Sequence, residues 1–184
     1  MILPKKFYNR DPAIVAQELL GKIIVKRDKN LRGRIVETEA YYGLSDPASR
    51  ARKGAKIMWA AAGVAFIYMV HGNWLFNVIT MPKGEPSGVL IRAVEPIDGI
   101  DVMRKNRGVD ELRKLTSGPG KFTKAFGIDK KYNGVRIYRR DAPIFIKDGK
   151  FEGEIVKSYR IGVKEDLPIP LRFYIKGNKF VSRK

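Results

Sequence analysis

Gly33-Arg-Ile-Val-Glu-Thr-Glu-Ala-Tyr-Tyr-Gly43 reads as a β-strand that carries carboxylates at Glu37 and Glu39 and runs into paired aromatics at Tyr41 and Tyr42. Side chains alternate faces along a strand, so Glu37, Glu39 and Tyr41 project to one side and Tyr42 to the other. A carboxylate beside an aromatic plate can hold a flat ring and act on a bond next to it. That assigns chemistry to Glu39 and Tyr41. Glu37, earlier on the same face, reads as structural support or as the partner of a cation, and Tyr42 as core.

Upstream, Lys22–Arg27 and Arg34–Glu39 are β-rich and are joined by Asp28-Lys-Asn-Leu-Arg-Gly33, which predicts a hairpin. Before it, Asp11-Pro12 leads into Ile14, Val15, Leu19 and Leu20 and stops at Gly21, the pattern of a capped helix. Downstream, residues 44–63 read as a long connection. Val64–Val70 and Trp74–Thr80 are strands about a turn at His71-Gly72-Asn73, and Val89–Val94 is a further apolar strand. Pro96 to Arg104, Asp110 to Leu115 and Lys121 to Phe126 are predicted helical. Val135–Tyr138, Ile144–Ile146 and Leu171–Ile175 are predicted strands. With no repeat or linker over residues 1–184, the expectation is one compact α+β domain, a mainly antiparallel curved sheet with surrounding helices.

The 184 residues are enough for a substantial core, and 44% apolar against 30% charged is a globular balance. No apolar run is long enough to span a membrane, and Met1-Ile-Leu-Pro-Lys-Lys lacks the stretch of a secretory signal. Without cysteine there is no disulfide or thiolate site, so an intracellular location is expected. Lys and Arg outnumber Asp and Glu by 37 to 19, a net charge of +18. The excess gathers at residues 50–56, 130–150 and beyond Leu171, segments that could converge on one face and track a phosphate backbone.

One histidine cannot build a zinc site, a serine triad would have to use it, and no dinucleotide or Walker glycine pattern occurs. By elimination, any catalysis rests on carboxylates and needs neither metal nor cofactor. Ser117-Gly-Pro-Gly-Lys121 is a glycine-rich loop entering a helix, which fits one phosphate or an ordinary helix cap equally well.

The order of motifs then resembles a known family. Gly33–Gly43 is followed by Phe66-Ile-Tyr-Met-Val-His-Gly72, Ser87-Gly-Val-Leu-Ile-Arg-Ala-Val-Glu-Pro96 and Leu115-Thr-Ser-Gly-Pro-Gly-Lys121. Arg160-Ile-Gly-Val163 and Pro170-Leu-Arg-Phe-Tyr-Ile-Lys-Gly177 complete the series. Together these resemble the alkyladenine (3-methyladenine) DNA glycosylases, monofunctional purine glycosylases of base-excision repair, over essentially the whole chain. The resemblance implies that Glu39 is the general base for the water attacking the sugar C1′ and that Arg92 helps hold that water. It implies that Tyr41 and Tyr68 sandwich a flipped purine, and that Asn77 lies against the purine edge and disfavours the 2-amino group of guanine. Ser117, Gly118 and Lys121 would meet the DNA backbone. The partner implied is double-stranded DNA containing damaged purines, with the protein acting as a monomer.

Two positions depart from the family pattern. After Asp46-Pro-Ala-Ser49 the family has a histidine in its base pocket, where Arg50 stands here. Arginine can stack on a base, but its charge repels a cationic purine. Arg50 is therefore read as pointing to phosphate, the alternative being a pocket that favours neutral lesions. At the hairpin, His71 replaces an intercalating tyrosine in a turn one residue shorter, so the match of Asn77 depends on a gap. Two rivals stand beside the glycosylase: a non-catalytic basic nucleic-acid-binding module on the same fold, and a carboxylate glycosidase acting on nucleosides.

Overall fold

The structure, a computed structural model, describes residues 1–183. In chain order these form α1 (Lys5–Tyr8), α2 (Pro12–Glu18), β1 (Ile23–Lys26), β2 (Leu31–Tyr41), β3 (Ala65–Val70), β4 (Asn73–Ile79) and β5 (Gly88–Asp98). Then follow α3 (Ile100–Arg107), α4 (Pro119–Phe126), β6 (Ile144–Lys147), β7 (Ile155–Ser158) and β8 (Arg172–Ile175). The fold is α+β, with all eight strands in one antiparallel sheet of order β3-β4-β5-β2-β1-β6, to which β8 and β7 attach through β2.

The strand read first from the sequence is the hub of that sheet. One edge of β2 pairs with β5 along its length. The other edge is shared: β1 covers Leu31–Arg34, and β8 covers Glu37–Glu39. Between those partners the β2–β5 ladder slips twice. Ile35 faces Val94, Glu37 faces Ala93 and Thr38 faces Ile91, so Val36 on one strand and Arg92 on the other lack a direct partner. A bulge of this kind re-aims a side chain. Here it turns Arg92 towards both Glu37 and Glu39.

Helices α2 and α4 cover the sheet. The Asp11 side chain accepts hydrogen bonds from the N–H groups of Ala13 and Ile14, and Pro12 opens the helix, as the sequence indicates. Leu19, Ile35, Ile91, Phe122 and Phe126 are fully or almost fully buried in the main core. A smaller cluster of Ala51, Met58, Val64, Phe66 and Ile79 holds down the connection after β2. That connection contains two single 3-10 turns, at Arg50–Lys53 and Lys56–Trp59.

Several expectations are corrected. Pro96 is not the start of a helix: β5 continues to Asp98, with Pro96 opposite Gly33 and Asp98 opposite Arg32. The helix begins only at Ile100, after Gly99 breaks the strand at φ +77°. Asp110–Leu115 holds just one 3-10 turn, Leu112–Lys114. Val135–Tyr138 is not a strand; it makes a single bridge from Arg136 to Val64 and is then turned by the Arg139 N–H on the Arg136 carbonyl. Strand β7 and the short α1 were not anticipated. Among the described residues, no helix is long and apolar enough to cross a membrane.

Candidate active site

Glu39 has no solvent-accessible surface. Its Oε2 accepts a hydrogen bond from the Tyr41 hydroxyl at 2.7 Å, and its Oε1 accepts one from the Ile161 N–H at 2.8 Å. Arg92 Nη1 lies 3.2 Å from the same Oε1. Burial raises the Glu39 carboxyl above its ordinary range, and Arg92, the Ile161 N–H and the Tyr41 hydroxyl oppose that shift without cancelling it. Burial, and then the facing Glu39 carboxylate, raise the Tyr41 phenol well above its usual value, so it keeps its proton at neutral pH.

Glu37 supports this arrangement from behind. It is also fully buried, and it accepts from Arg92 Nε at 3.1 Å and Arg172 Nε at 2.7 Å. The Ser182 N–H and hydroxyl donate to it at 2.7 and 2.9 Å. Arg172 donates in addition to Ser158 Oγ and to the Arg183 carbonyl. Burial works against the Arg92 charge, but Glu39 and Glu37 outweigh it and hold the guanidinium protonated. Two carboxylates and two guanidiniums thus balance in one buried cluster. The expectation that Glu37 pairs with a cation is met twice over, and Tyr42 packs against the core with its hydroxyl on Asp11.

Tyr41 is fixed by a second buried network. The Arg160 guanidinium carbon lies 4.5 Å from the centroid of the Tyr41 ring. Arg160 forks onto Asp46 at 2.6 and 2.8 Å, meets Asp166 at 2.6 Å and donates to the Ala40 carbonyl at 3.1 Å. Arg160 and Arg172 stand within motifs of the sequence, but no local pattern gives them these roles, because the buried carboxylates they hold, Asp46 and Glu37, lie 114 and 135 residues away in the chain.

A cleft of about 930 Å³ opens in front of these residues. Tyr41, Tyr68, Arg92 and Arg50 line it, whereas Glu39 lies behind Tyr41, Arg92 and Ile161. A narrower recess leads off it between Tyr41, Tyr68, Asn77 and Arg50, with Met58, Phe66 and Gly88 completing its wall. Tyr68 stacks on Phe66 with centroids 4.9 Å apart. Asn77 is buried and donates from Nδ2 to the Phe66 carbonyl. The Arg50 guanidinium carbon lies 4.4 Å from the Tyr68 ring centroid, so in this structure the side chain is in the recess. Burial raises the Tyr68 phenol, and Arg50 pulls it the other way.

The hairpin and the glycine loop meet on the same cleft. His71 is exposed at the tip of a two-residue turn, where His71 and Gly72 have φ of +47° and +75° and Val70 pairs with Asn73. Positive φ at both positions matches the twist of the strands, and histidine is among the few non-glycine residues that adopt it readily. Gly118 and Lys121 line the cleft, and Ser117 lies just outside it. A Cβ at Gly120 would come within 2.7 Å of the Asn73 side chain, and Thr123 Oγ1 donates to the Trp74 carbonyl, so α4 and the hairpin are locked together. Of the three basic segments, only 50–56 reaches the cleft, through Arg50 and Lys53; Arg107 and Lys164 join from elsewhere. The tail's Arg172 is instead buried beneath the site. Among the described residues, no group of three His, Cys, Asp or Glu is placed to hold a metal ion.

Comparison with known proteins gives a consistent result. The family described as Methylpurine-DNA glycosylase (MPG) matches residues 6–179. A protein of Methanoculleus marisnigri is 40% identical over 195 residues covering 100% of both chains. One of Clostridium novyi is 44% identical over 200 residues, 99% of this chain and 98% of its own. One of Aeropyrum pernix is 39% identical over 191 residues, 99% and 93%. All three carry the provisional name 3-methyladenine DNA glycosylase.

Proposed function

Because the chain belongs to the methylpurine-DNA glycosylase family, a family of DNA-repair hydrolases that cleave N-glycosyl bonds of alkylated bases, we propose that it excises alkylated and deaminated purines from double-stranded DNA with a water that Glu39 activates. The observation that carries this reading is the Glu39 carboxylate, buried, raised in pKa and held by Tyr41, Ile161 and Arg92 next to an aromatic recess.

A glycosidic bond inside a duplex is out of reach, so the nucleotide rotates out and its base enters between Tyr41 and Tyr68. His71 fills the gap it leaves in the stack, and Asn77 meets the purine edge. Gly118 and Lys121 hold the flanking backbone, with Ser117 beside them. A carboxylate offers about four acceptor sites; the Tyr41 hydroxyl and the Ile161 N–H occupy two of them and Arg92 pairs with it by charge, which leaves acceptor capacity for a water. The water oxygen bonds to C1′ as Glu39 takes its proton and Arg92 stabilises the carboxylate. The C1′–N9 bond breaks and its electron pair goes to the purine. A base alkylated at N3 or N7 begins as a cation and leaves neutral. Because no amine attacks the sugar, the product is an abasic site in an uncut strand. The protein acts as a monomer, on the DNA inside the cell.

The test is incubation with duplexes carrying single lesions, followed by alkaline cleavage of the abasic sites. Glu39→Gln is expected to abolish excision and to leave binding intact. A fully active Glu39→Gln protein would overturn the mechanism, and a borohydride-trappable protein–DNA adduct would overturn simple hydrolysis. If no lesion were excised, the non-catalytic binding module would stand instead.

A further inference from the structure

We propose that Arg50 is a specificity-determining residue that turns the base recess against cationic purines and towards neutral 6-oxopurines, an inference that rests on the glycosylase reading above. Arg50 differs in one respect from the two guanidiniums that hold Glu39 and Tyr41 in place. Arg92 faces Glu37 and Glu39, and Arg160 faces Asp46 and Asp166. Among the described residues, no carboxylate lies within 4 Å of Arg50. Arg50 is also the only charged residue among those lining the recess, whose other walls are aromatic, aliphatic or amide. Glu39 is already matched by Arg92, so the charge a base meets within the recess is the unpaired one of Arg50.

The position of Arg50 is held by its backbone. It opens the 3-10 turn Arg50–Lys53, where Ser49 Oγ accepts from the Ala51 N–H at 3.2 Å. Ala51 and Met58 anchor that segment in the same small core as Phe66, against which Tyr68 packs. The guanidinium lies over Tyr68, where a flat base would stack, so an entering purine displaces it from the ring face to the base edge. There its forked N–H groups fit two neighbouring acceptors, the O6 and N7 pair that arginine reads on guanine in a major groove. Hypoxanthine presents both. An N7-methylated purine lacks the second and is cationic; 3-methyladenine is cationic and sets an amino donor against a donor. Two like unit charges at this range repel strongly outside bulk water.

The same contact assists bond cleavage. When a neutral purine departs, the electron pair of the C1′–N9 bond spreads over the ring onto N7 and O6. A guanidinium already aimed there stabilises that developing charge. A cationic base meets its penalty on entry, where like charges repel, and is relieved of it as it departs neutral, so Arg50 weakens its binding. Arg50 therefore raises the efficiency (kcat/KM) for neutral 6-oxopurines and lowers it for cationic purines.

The experiment measures single-turnover excision of hypoxanthine and of 7-methylguanine from otherwise identical duplexes, at protein concentrations well below saturation, by the wild-type, Arg50→Gln and Arg50→Lys proteins. The ratio of the two rate constants does not depend on the fraction of protein that is folded. The wild-type ratio is expected to favour hypoxanthine. Arg50→Gln should move it towards 7-methylguanine by about tenfold or more, and Arg50→Lys should retain the direction of the preference. An unchanged ratio in Arg50→Gln would overturn the inference. So would an equal loss on both lesions with a shallower salt dependence of binding, the signature of a phosphate contact. Failure of the wild-type protein to excise either base would overturn the glycosylase reading itself, and this inference with it.

Discussion

Replacing Glu37 by glutamine removes one of two negative charges from a buried cluster that contains two guanidiniums. Glu37 Oε1 accepts from Arg92, Arg172 and the Ser182 hydroxyl, and its Oε2 accepts from the Ser182 N–H. A glutamine in its best orientation keeps the three bonds to Oε1 but turns its amide N–H₂ against the Ser182 N–H. That strands a buried donor, which costs about 1–3 kcal/mol. It also leaves Arg92 and Arg172 sharing a neutral acceptor. Breaking a buried ion pair from one side costs about 3–5 kcal/mol, and the stranded donor is part of that loss rather than an addition to it. For a chain of this length each kcal/mol is worth about 2–4 °C, so the melting midpoint should fall by roughly 6–20 °C. Urea unfolding followed by Trp59 and Trp74 fluorescence measures the same loss as a lower midpoint at unchanged slope. Glu37→Gln/Arg172→Met removes one cation as well, and it should be more stable than the sum of the single losses by about 0.5–3 kcal/mol. A Glu37→Gln loss below about 1 kcal/mol, or strict additivity in the double variant, would refute the view that charge balance holds this region together.

The raised Glu39 carboxyl carries a pH signature. A general base must be deprotonated, so the excision rate should rise with pH through a limb lying above the 4.5 of an ordinary glutamate. Tyr41→Phe deletes a hydroxyl that donates to the charged form, so it should move that limb to higher pH. Glu37→Gln deletes a like charge and should move it lower; opposite shifts in single-turnover profiles would contradict both assignments. His71→Ala should weaken binding to lesion duplex, in gel-shift titrations, much more than it slows excision from single strands, and equal effects would count against the wedge.

The sheet was legible because β2 states its own pattern. Its β-branched and alternating residues predict a strand, and capping at Asp11 and Pro12 predicts the helix packed over it. Local preference misleads where tertiary pairing overrides it. Pro96 looks like a helix start, yet opposite Gly33 it continues a strand, and only Gly99 ends it. Val135–Tyr138 has strand-like residues but finds no neighbour beyond one bridge. Strand β7 has no clear sequence signature because it is short and only half-buried. At the site, Glu39, Tyr41, Tyr68, Arg92 and Asn77 announced themselves through motifs and do come together. The bulge that aims Arg92, and the placing of Arg172, Ser182 and Arg160 behind the carboxylates, have no local signature. The Arg50 side chain, read as reaching for phosphate, lies in the recess over Tyr68.

The span of the bonds to the two carboxylates bears on how the chain comes to fold. Ile161 meets Glu39 across 122 residues, and Arg172 and Ser182 meet Glu37 across 135 and 145. While the chain is being made at about 5–20 residues per second, β2 therefore waits for several seconds, or longer, with its acids unmatched by those partners. During that wait its edge towards β8 is also unpaired. Pairings of such long range are slow to close, and exposed strand edges invite association with other chains. The two acids in β2 oppose this, since charges on an open edge that Arg92 alone only partly matches disfavour sheet extension until Arg172 arrives. The residues that make the site costly to assemble also keep its nascent strand soluble.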